Sequence, residues 1–393
     1  MSGSRMSARP AMAAKNTNAG SQKTQSAVQA NMQLRHKFIN GSLFVKKTLQ
    51  QVNIVAGTSS YSIPLSNQGA LVGVDLEFSI NITNGATAST PNPGCPYNIL
   101  SNVSFVDQSN ITRHYLSGQG LFDYLNFRRP VGAGVFGTSY TPLEGGGNYA
   151  GIAYPVAGNM AANATQTLKF LLHIPISKSK YNTTGMVLLQ TGNQNQPAVI
   201  NFTLSNLIGG QGNSPFNEPF TITGGSVIPH QLYWQPINNV EAPPIDTKVQ
   251  WVLFETGQDT TNLSPGMEKQ ILFQMQFKTY GVGIRYFNGS TFSLGGADMT
   301  SVIEKNMGGT FFIDDTDPLL RYLYYRNKHS AEGAPGMYWF DYSERPLQYE
   351  AIGIYEADLT PLTVNAGAYT TQLYDWLKVP SDLLSLPGGS QIG

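Results

Sequence analysis

Residues 72–83 read VGVDLEFSINIT, apolar and polar side chains alternating at period two. That is the pattern of a strand with one face in a core and the other outside it. The alternation returns at 270–278 (QILFQMQFK). Shorter strand-like runs fall at 103–107, 168–174, 198–204, 249–256, 282–287, 310–313 and 337–342. Clusters of Gly, Pro, Asn and Ser separate them, the longest over 84–96, 130–164 and 205–229. Short strands joined by long loops predict an all-β chain of jelly-roll type. Composition agrees. Charged residues make up 12% of the 393, about half the usual share of roughly 25%, which argues against a coiled coil or helical bundle. Aromatics at 11% argue against disorder over most of the length.

Helical runs are few. The sequence predicts them over 298–307 (DMTSVIEKNM), near 116–127, and over 318–328 (PLLRYLYYRNK). In the last, Asp317 suits the N-cap and Pro318 the first helical position, with Asp314 and Asp315 complementing the helix dipole. Pro236, Pro243 and Pro244 interrupt the pattern at 235–246. The chain is therefore expected to divide into a basic arm (1–47), a first sandwich (48–241), a second sandwich (242–379) and a C-terminal tail (380–393), each sandwich of domain size. The halves repeat a weak order of features. Strands from Val72 and Val103 lead to Ser117-Gly118 in the first. Strands at Gln270 and Val282 lead through Asn288-Gly289 to Gly295-Gly296 in the second.

Charge is distributed unevenly. Arg5, Arg9, Lys15, Lys23, Arg35, Lys37, Lys46 and Lys47 lie within the first 47 residues, and the first acid is Asp75. Bases and acids number 24 each, so the rest of the chain carries a matching excess of eight acids. A basic arm poor in large apolar groups is expected to be disordered alone and to meet an anionic surface. Residues 22–34 have the composition to become an amphipathic helix on a partner or membrane. No aromatic precedes Phe38, so base stacking on single-stranded nucleic acid is not signalled.

Cys95 is the single cysteine, which excludes an internal disulfide framework and a Cys-based zinc site. No run of 18 apolar residues and no signal-peptide-like run occurs, so folding in the cytoplasm is expected. The phosphate-binding loop GxxxxGK[ST] and the hydrolase signatures HExxH and GxSxG are missing. His36, His114, His173, His230 and His329 have no metal-ligand spacing and read as surface or hydrogen-bonded residues. Asp314, Asp315 and Asp317 lack the Gly and distal Glu of a calcium loop. Asp341, Glu344, Glu350 and Glu356 sit in strand-rich sequence, and β-sandwich glycosidases use two acids, but in a chain with 24 acids several fall near one another by chance. Nine Asn-x-Ser/Thr sequons, at Asn40, Asn81, Asn102, Asn110, Asn163, Asn182, Asn201, Asn262 and Asn288, read as composition. No catalytic residue, metal or cofactor is expected.

Four stretches in fixed order resemble a known family. They are 98–118 (NILSNVSFVDQSNITRHYLSG), 174–188 (IPISKSKYNTTGMVL), 263–298, where Ser-Pro-Gly leads to a Phe-Asn-Gly turn and GGAD, and 336–366. The last holds Gly336-Met337-Tyr338, Asp341, Arg345-Pro346, Tyr349, Gly353 and Thr363-Val364-Asn365. Together they resemble the double-jelly-roll major capsid protein of tailless, membrane-containing icosahedral bacterial viruses of the tectivirus type. The Gly-rich 130–164 and the tail after Pro380 depart from it. The resemblance implies two side-by-side eight-stranded jelly rolls with a few short helices. It also implies a pseudo-hexagonal homotrimer tiling a shell around an internal membrane, with the basic arm on the inner side. The eight basic residues of the arm are then the candidate contacts to membrane headgroups or neighbouring trimers. The implied partners are other copies, vertex and minor capsid or membrane proteins, and lipid headgroups, without sequence-specific nucleic-acid binding. The implied location is the virion, after a stage in the host cytoplasm. The competing reading is a β-sandwich that binds or cleaves glycans, with Tyr233, Trp234, Trp251 and Trp339 as sugar platforms.

Overall fold

The computed structural model describes residues 33, 37–92, 94–127, 158–178, 184–189, 195–205, 214–237, 249–256, 263–273, 278–288, 291–292, 299–306, 311–315, 337–342, 355–361 and 368–378. Strands dominate. The first ten are β1 (Ser42–Thr48), β2 (Val52–Val55), β3 (Ser60–Pro64), β4 (Ala70–Asn84), β5 (Leu100–Val106), β6 (Thr112–Leu116), β7 (Thr165–Pro175), β8 (Val187–Leu188), β9 (Val199–Leu204) and β10 (Phe220–Pro236). The rest are β11 (Gln250–Glu255), β12 (Lys269–Phe273), β13 (Lys278–Asn288), β14 (Thr291–Phe292), β15 (Met299–Asn306), β16 (Phe311–Asp315), β17 (Met337–Asp341), β18 (Tyr355–Pro361) and β19 (Tyr369–Lys378). A ten-residue helix, Gly118–Phe127, follows β6.

One strand order occurs twice. In the first half β1 and β2 both lie beside β10, which continues to β4 and β7. The opposing layer is β3–β9–β5–β6. In the second half β11–β19–β13–β17 opposes β12–β18–β15–β16. Each half is a jelly roll, and the chain is a double jelly roll. The alternation read at 72–83 explains the first core. Val74, Leu76, Phe78, Ile80 and Ile82 of β4 point inward with Phe170 of β7, and meet Val103, Phe105, Ile200 and Phe202 of the opposing layer. Phe78 meets Phe202 edge-on with 5.4 Å between ring centroids, a geometry that adds to simple area burial. The second core joins Val282, Ile284 and Tyr286 of β13, Tyr338 and Phe340 of β17, and Tyr374 and Trp376 of β19 to Ile271, Met299 and Val302.

A third apolar cluster lies on the outer face of the first roll. A register shift between Leu232 and Tyr233 of β10 turns Val72 of β4 outward, as bulges do. Val72 there joins Ala70, Met186, Trp234 and the fully buried Phe38. The helical turn just before β1 is thereby pinned to the sheet where the basic arm begins.

Three expectations are corrected. Residues 298–307 form strand β15, not a helix: Val302 enters the second core, and β16 and β18 pair with both edges of the strand. That filling of both backbone edges outweighs a weak helix preference. Residues 220–229, placed in a loop, belong to the long strand β10. The first strand begins at Ser42, earlier than the alternation indicates. By contrast, the helix near 116–127 is present as Gly118–Phe127. The predicted helix 318–328, residues 22–34 apart from Gln33, the core of the Gly-rich loop and the tail lie outside the described residues.

Candidate functional site: the seam between the two rolls

The two rolls meet along one parallel strand pair. Leu253 and Phe254 of β11 lie beside His114 and Tyr115 of β6. This joins the layer β3–β9–β5–β6 of the first roll to β11–β19–β13 of the second in one nine-stranded sheet. His114 is buried, and its Nδ1 accepts a hydrogen bond from the Leu253 backbone N–H at 3.1 Å. Burial, with the charge of Arg113 adding, pushes its pKa down to about 3, so the ring stays neutral and keeps accepting. Arg113 next to it donates from Nε to Asp107 at 2.8 Å and from Nη1 to the Gly185 carbonyl at 3.3 Å. Burial lowers the Arg113 pKa, and Asp107 opposes that. The other Asp107 oxygen accepts from the Ser109 and Ile111 amides, closing the β5–β6 turn where Asn110 takes a positive φ of 59°.

The helix Gly118–Phe127 carries the second half of the joint. Ser117 caps it: its Oγ accepts from the Gly120 amide at 2.9 Å. The Ser117 amide and hydroxyl both donate to Oε2 of Glu255, each at 2.7 Å. A carboxylate of the second roll thus sits at the positive end of a helix of the first. Gly120 permits it, since a Cβ there would fall 2.4 Å from Oε2. Arg285 of β13 donates from Nη1 to Glu255 at 2.9 Å and from Nη2 to Asp123 at 2.5 Å. Asp123, on the helix, also accepts from Gln119 at 2.7 Å. The next residue, Tyr124, donates to Asp375 of β19 at 3.0 Å, and Trp251 of β11 donates to the other oxygen at 2.6 Å. Asp123, Glu255, Arg285 and Asp375 are all buried.

Burial pushes the Asp123 pKa up to about 6; Arg285 and Gln119 pull it down, and Glu255 pushes it further up. A folded-state pKa above the ordinary 3.8 means that protonation favours the folded form. This contribution to stability is full below pH 3.8 and is lost as pH rises through 6. Asp123→Asn is expected to flatten the slope of unfolding free energy against pH over that window, by up to roughly 2–3 kcal/mol in total. Denaturant titrations at a series of pH values check it, and an unchanged slope contradicts it.

Three of the eight predicted arm residues, Lys37, Lys46 and Lys47, are among the described residues. Arg5, Arg9, Lys15, Lys23 and Arg35 lie outside the described residues, and Lys37 is exposed on the turn before β1. Lys46 and Lys47 stand on β1. Lys46 reaches Asp75 at 3.7 Å and Lys47 donates to Gln68 at 3.0 Å. Around Lys46 a polar row crosses the outer face of the first roll: His173 with Asp75 at 2.7 Å, and His230 with Glu77 at 2.8 Å and Thr48 at 3.0 Å. Burial raises the Asp75 pKa, but the hydrogen bond and charge of His173, with Lys46 and His230, outweigh it and lower the net value.

The glycan reading fails on burial. Tyr233, Trp234, Trp251 and Trp339 are all buried, so none presents a ring to a sugar. Asp314 and Asp315 lie on strand β16. Glu344, Glu350, His36 and His329 lie outside the described residues. Among the described residues no group of three or more His, Cys, Asp or Glu side chains is arranged to hold a metal ion, and no helix is long and apolar enough to cross a membrane. Sequence reasoning missed Asp123, Glu255, Arg285 and Asp375. Each is a lone charge inside an apolar or aromatic run (LFDYL, VLFET, GIRYF, LYDWL). Such a charge is rarely buried without a partner.

Comparison with known proteins agrees with this architecture. A family model described as P3 major capsid protein N-terminal matches residues 10–215. Among solved structures, the MCP of STIV is 15% identical, with 87% of this chain and 99% of that chain covered and a TM-score of 0.62. STIV is the Sulfolobus turreted icosahedral virus. PBCV-1 VP54, fitted into a reconstruction of the virophage Sputnik, is 11% identical, covering 86% and 95%, with a TM-score of 0.56. The major capsid protein P2 of bacteriophage PM2 is 10% identical, covering 86% and 98%, with a TM-score of 0.50. At such identities these neighbours establish the fold alone. No curated protein sequence matches the chain.

Proposed function

We infer the assembly role from one premise: this chain belongs to the P3 major capsid protein family, and it is a major capsid protein built as a double jelly roll. The role is structural, with no catalytic step. Three copies form a pseudo-hexagonal capsomer, and capsomers tile an icosahedral shell around an internal membrane, as in a tectivirus-like bacteriophage. The observation that supports this best is the buried seam. It fixes two rolls of the same strand order side by side, so three copies supply six similar units to a ring. The working division is a basic N-terminal arm that gives way to the first roll at the turn before β1, a first roll that runs on to 241, a second roll over 242–379 and a tail over 380–393. The chain folds in the host cytoplasm before entering the virion. Vertex and minor capsid or membrane proteins are its further partners.

The arm leaves the first roll at the buried Phe38. Its basic residues favour anionic headgroups by about 1 kcal/mol each when close to the surface, and salt weakens this beyond a separation of roughly 8 Å. Deleting residues 1–36 spares Phe38 and is expected to leave the trimer mass unchanged in light scattering. The same deletion is expected to abolish co-flotation with phosphatidylglycerol vesicles at moderate salt. A truncated chain that floats as well as the full one overturns the membrane role of the arm.

A further inference from the structure

The repeat makes the seam a template. In the second roll, β11 is the end strand beside β19; in the first, β1 holds the matching place beside β10. In the first roll, β6 is the end strand beside β5; in the second, β16 holds the matching place beside β15. Within one chain, β6 joins β11 in parallel. Two counterparts are left over. Among the described residues β1 pairs only with β10, and β16 only with β15. The joint is heterologous, one patch meeting a different patch, and such a joint repeats until a ring closes or a filament grows.

The geometry points to a copy-to-copy joint in which β16 of one chain lies parallel beside β1 of the next, as β6 lies beside β11 within a chain. The occupant of the β1 edge is therefore a second copy, and the inference rests on the trimer reading above. The two strand sequences fit each other. Strand β1 carries Leu43-Phe44-Val45-Lys46-Lys47, and β16 reads Phe311-Phe312-Ile313-Asp314-Asp315. Laid parallel in sequence register, Phe311, Phe312 and Ile313 fall level with Leu43, Phe44 and Val45, and Asp314 and Asp315 fall level with Lys46 and Lys47. Leu43 is 59% exposed and the Lys46 side chain 48%, so β1 offers both kinds of contact at the surface. A long apolar edge strand left open invites uncontrolled pairing, whereas complementary charges fix its register and reject wrong partners.

The test is a charge exchange read by light scattering over a dilution series. Lys46→Glu with Lys47→Glu is expected to raise the concentration at half-dissociation of the trimer at least tenfold. Asp314→Lys with Asp315→Lys is expected to do the same, and the chain carrying all four changes to recover most of the loss. A wild-type trimer that either pair leaves intact, or that the four-fold variant does not restore, overturns the joint and spares the trimer. A wild-type monomer overturns both. Independently of any variant, carbodiimide treatment of the wild-type trimer should give an interchain amide between Lys46 or Lys47 and Asp314 or Asp315. A cross-linked trimer lacking that peptide pair also overturns the joint.

Discussion

Arg285→Met is expected to destabilise the protein by about 3–5 kcal/mol, because it leaves buried carboxylates without their cation. Arg285 is the group that reaches both Glu255 and Asp123, and so ties β11, β13 and the helix of the first roll together. Methionine keeps much of the length and the apolar stem, so the loss reports the charge. Asp123 retains Gln119 and Glu255 retains Ser117, which offsets part of the loss but replaces no positive charge. Adding Asp123→Asn to Arg285→Met removes one unpaired charge and is expected to recover part of the stability, since neutralising a buried group costs less than stranding it. Urea unfolding followed by far-ultraviolet circular dichroism checks both variants. A loss below about 1 kcal/mol would be the size of an exposed ion pair and would contradict the buried network.

Trp339→Ala is expected to cost about 3–5 kcal/mol, the range for removing a large buried aromatic side chain. Trp339 belongs to the second roll, yet it packs in the first core cluster, with its ring 5.9 Å from that of Tyr124 on the helix. Its indole lies over Gly281 and Gly283 of β13. A Cβ at either position would come within 2.4 or 2.5 Å of the ring. The bare backbone of these two residues is what seats it. Gly283→Ala is therefore expected to weaken the same contact by a smaller amount. Thermal unfolding and tryptophan fluorescence report both variants, and a Trp339→Ala chain as stable as the parent contradicts this packing at the seam.

The strands legible in the sequence were those whose register one core face dictates. Residues 74–83 alternate because every second side chain of β4 from Val74 onward enters the first core, and a one-residue slip would turn them all outward. Half of β10 was hidden by its own composition. Gly224, Gly225, Ser226 and Pro229 read as a loop, but β4 beside them supplies the ladder. Gly225 is required there: its φ is +148°, and a Cβ would fall 2.2 Å from the Ser79 carbonyl oxygen. Strand β15 was misread because DMTSVIEKNM carries no helix breaker, and the edges that claim it come from distant β16 and β18. The seam was less legible still. Ser117-Gly118 marks its beginning, but Asp123, Glu255, Arg285 and Asp375 come from four separate segments, and only the fold brings them together. The basic arm, by contrast, was plain from charge alone, because it needs no partner in the sequence to be seen.

The most direct test is an electron cryomicroscopy reconstruction of shells assembled from the full chain. The account predicts capsomers of three copies with a pseudo-sixfold outline, in which the second roll of each copy meets the first roll of the next. Capsomers of another copy number, or like roll set against like roll, would contradict it.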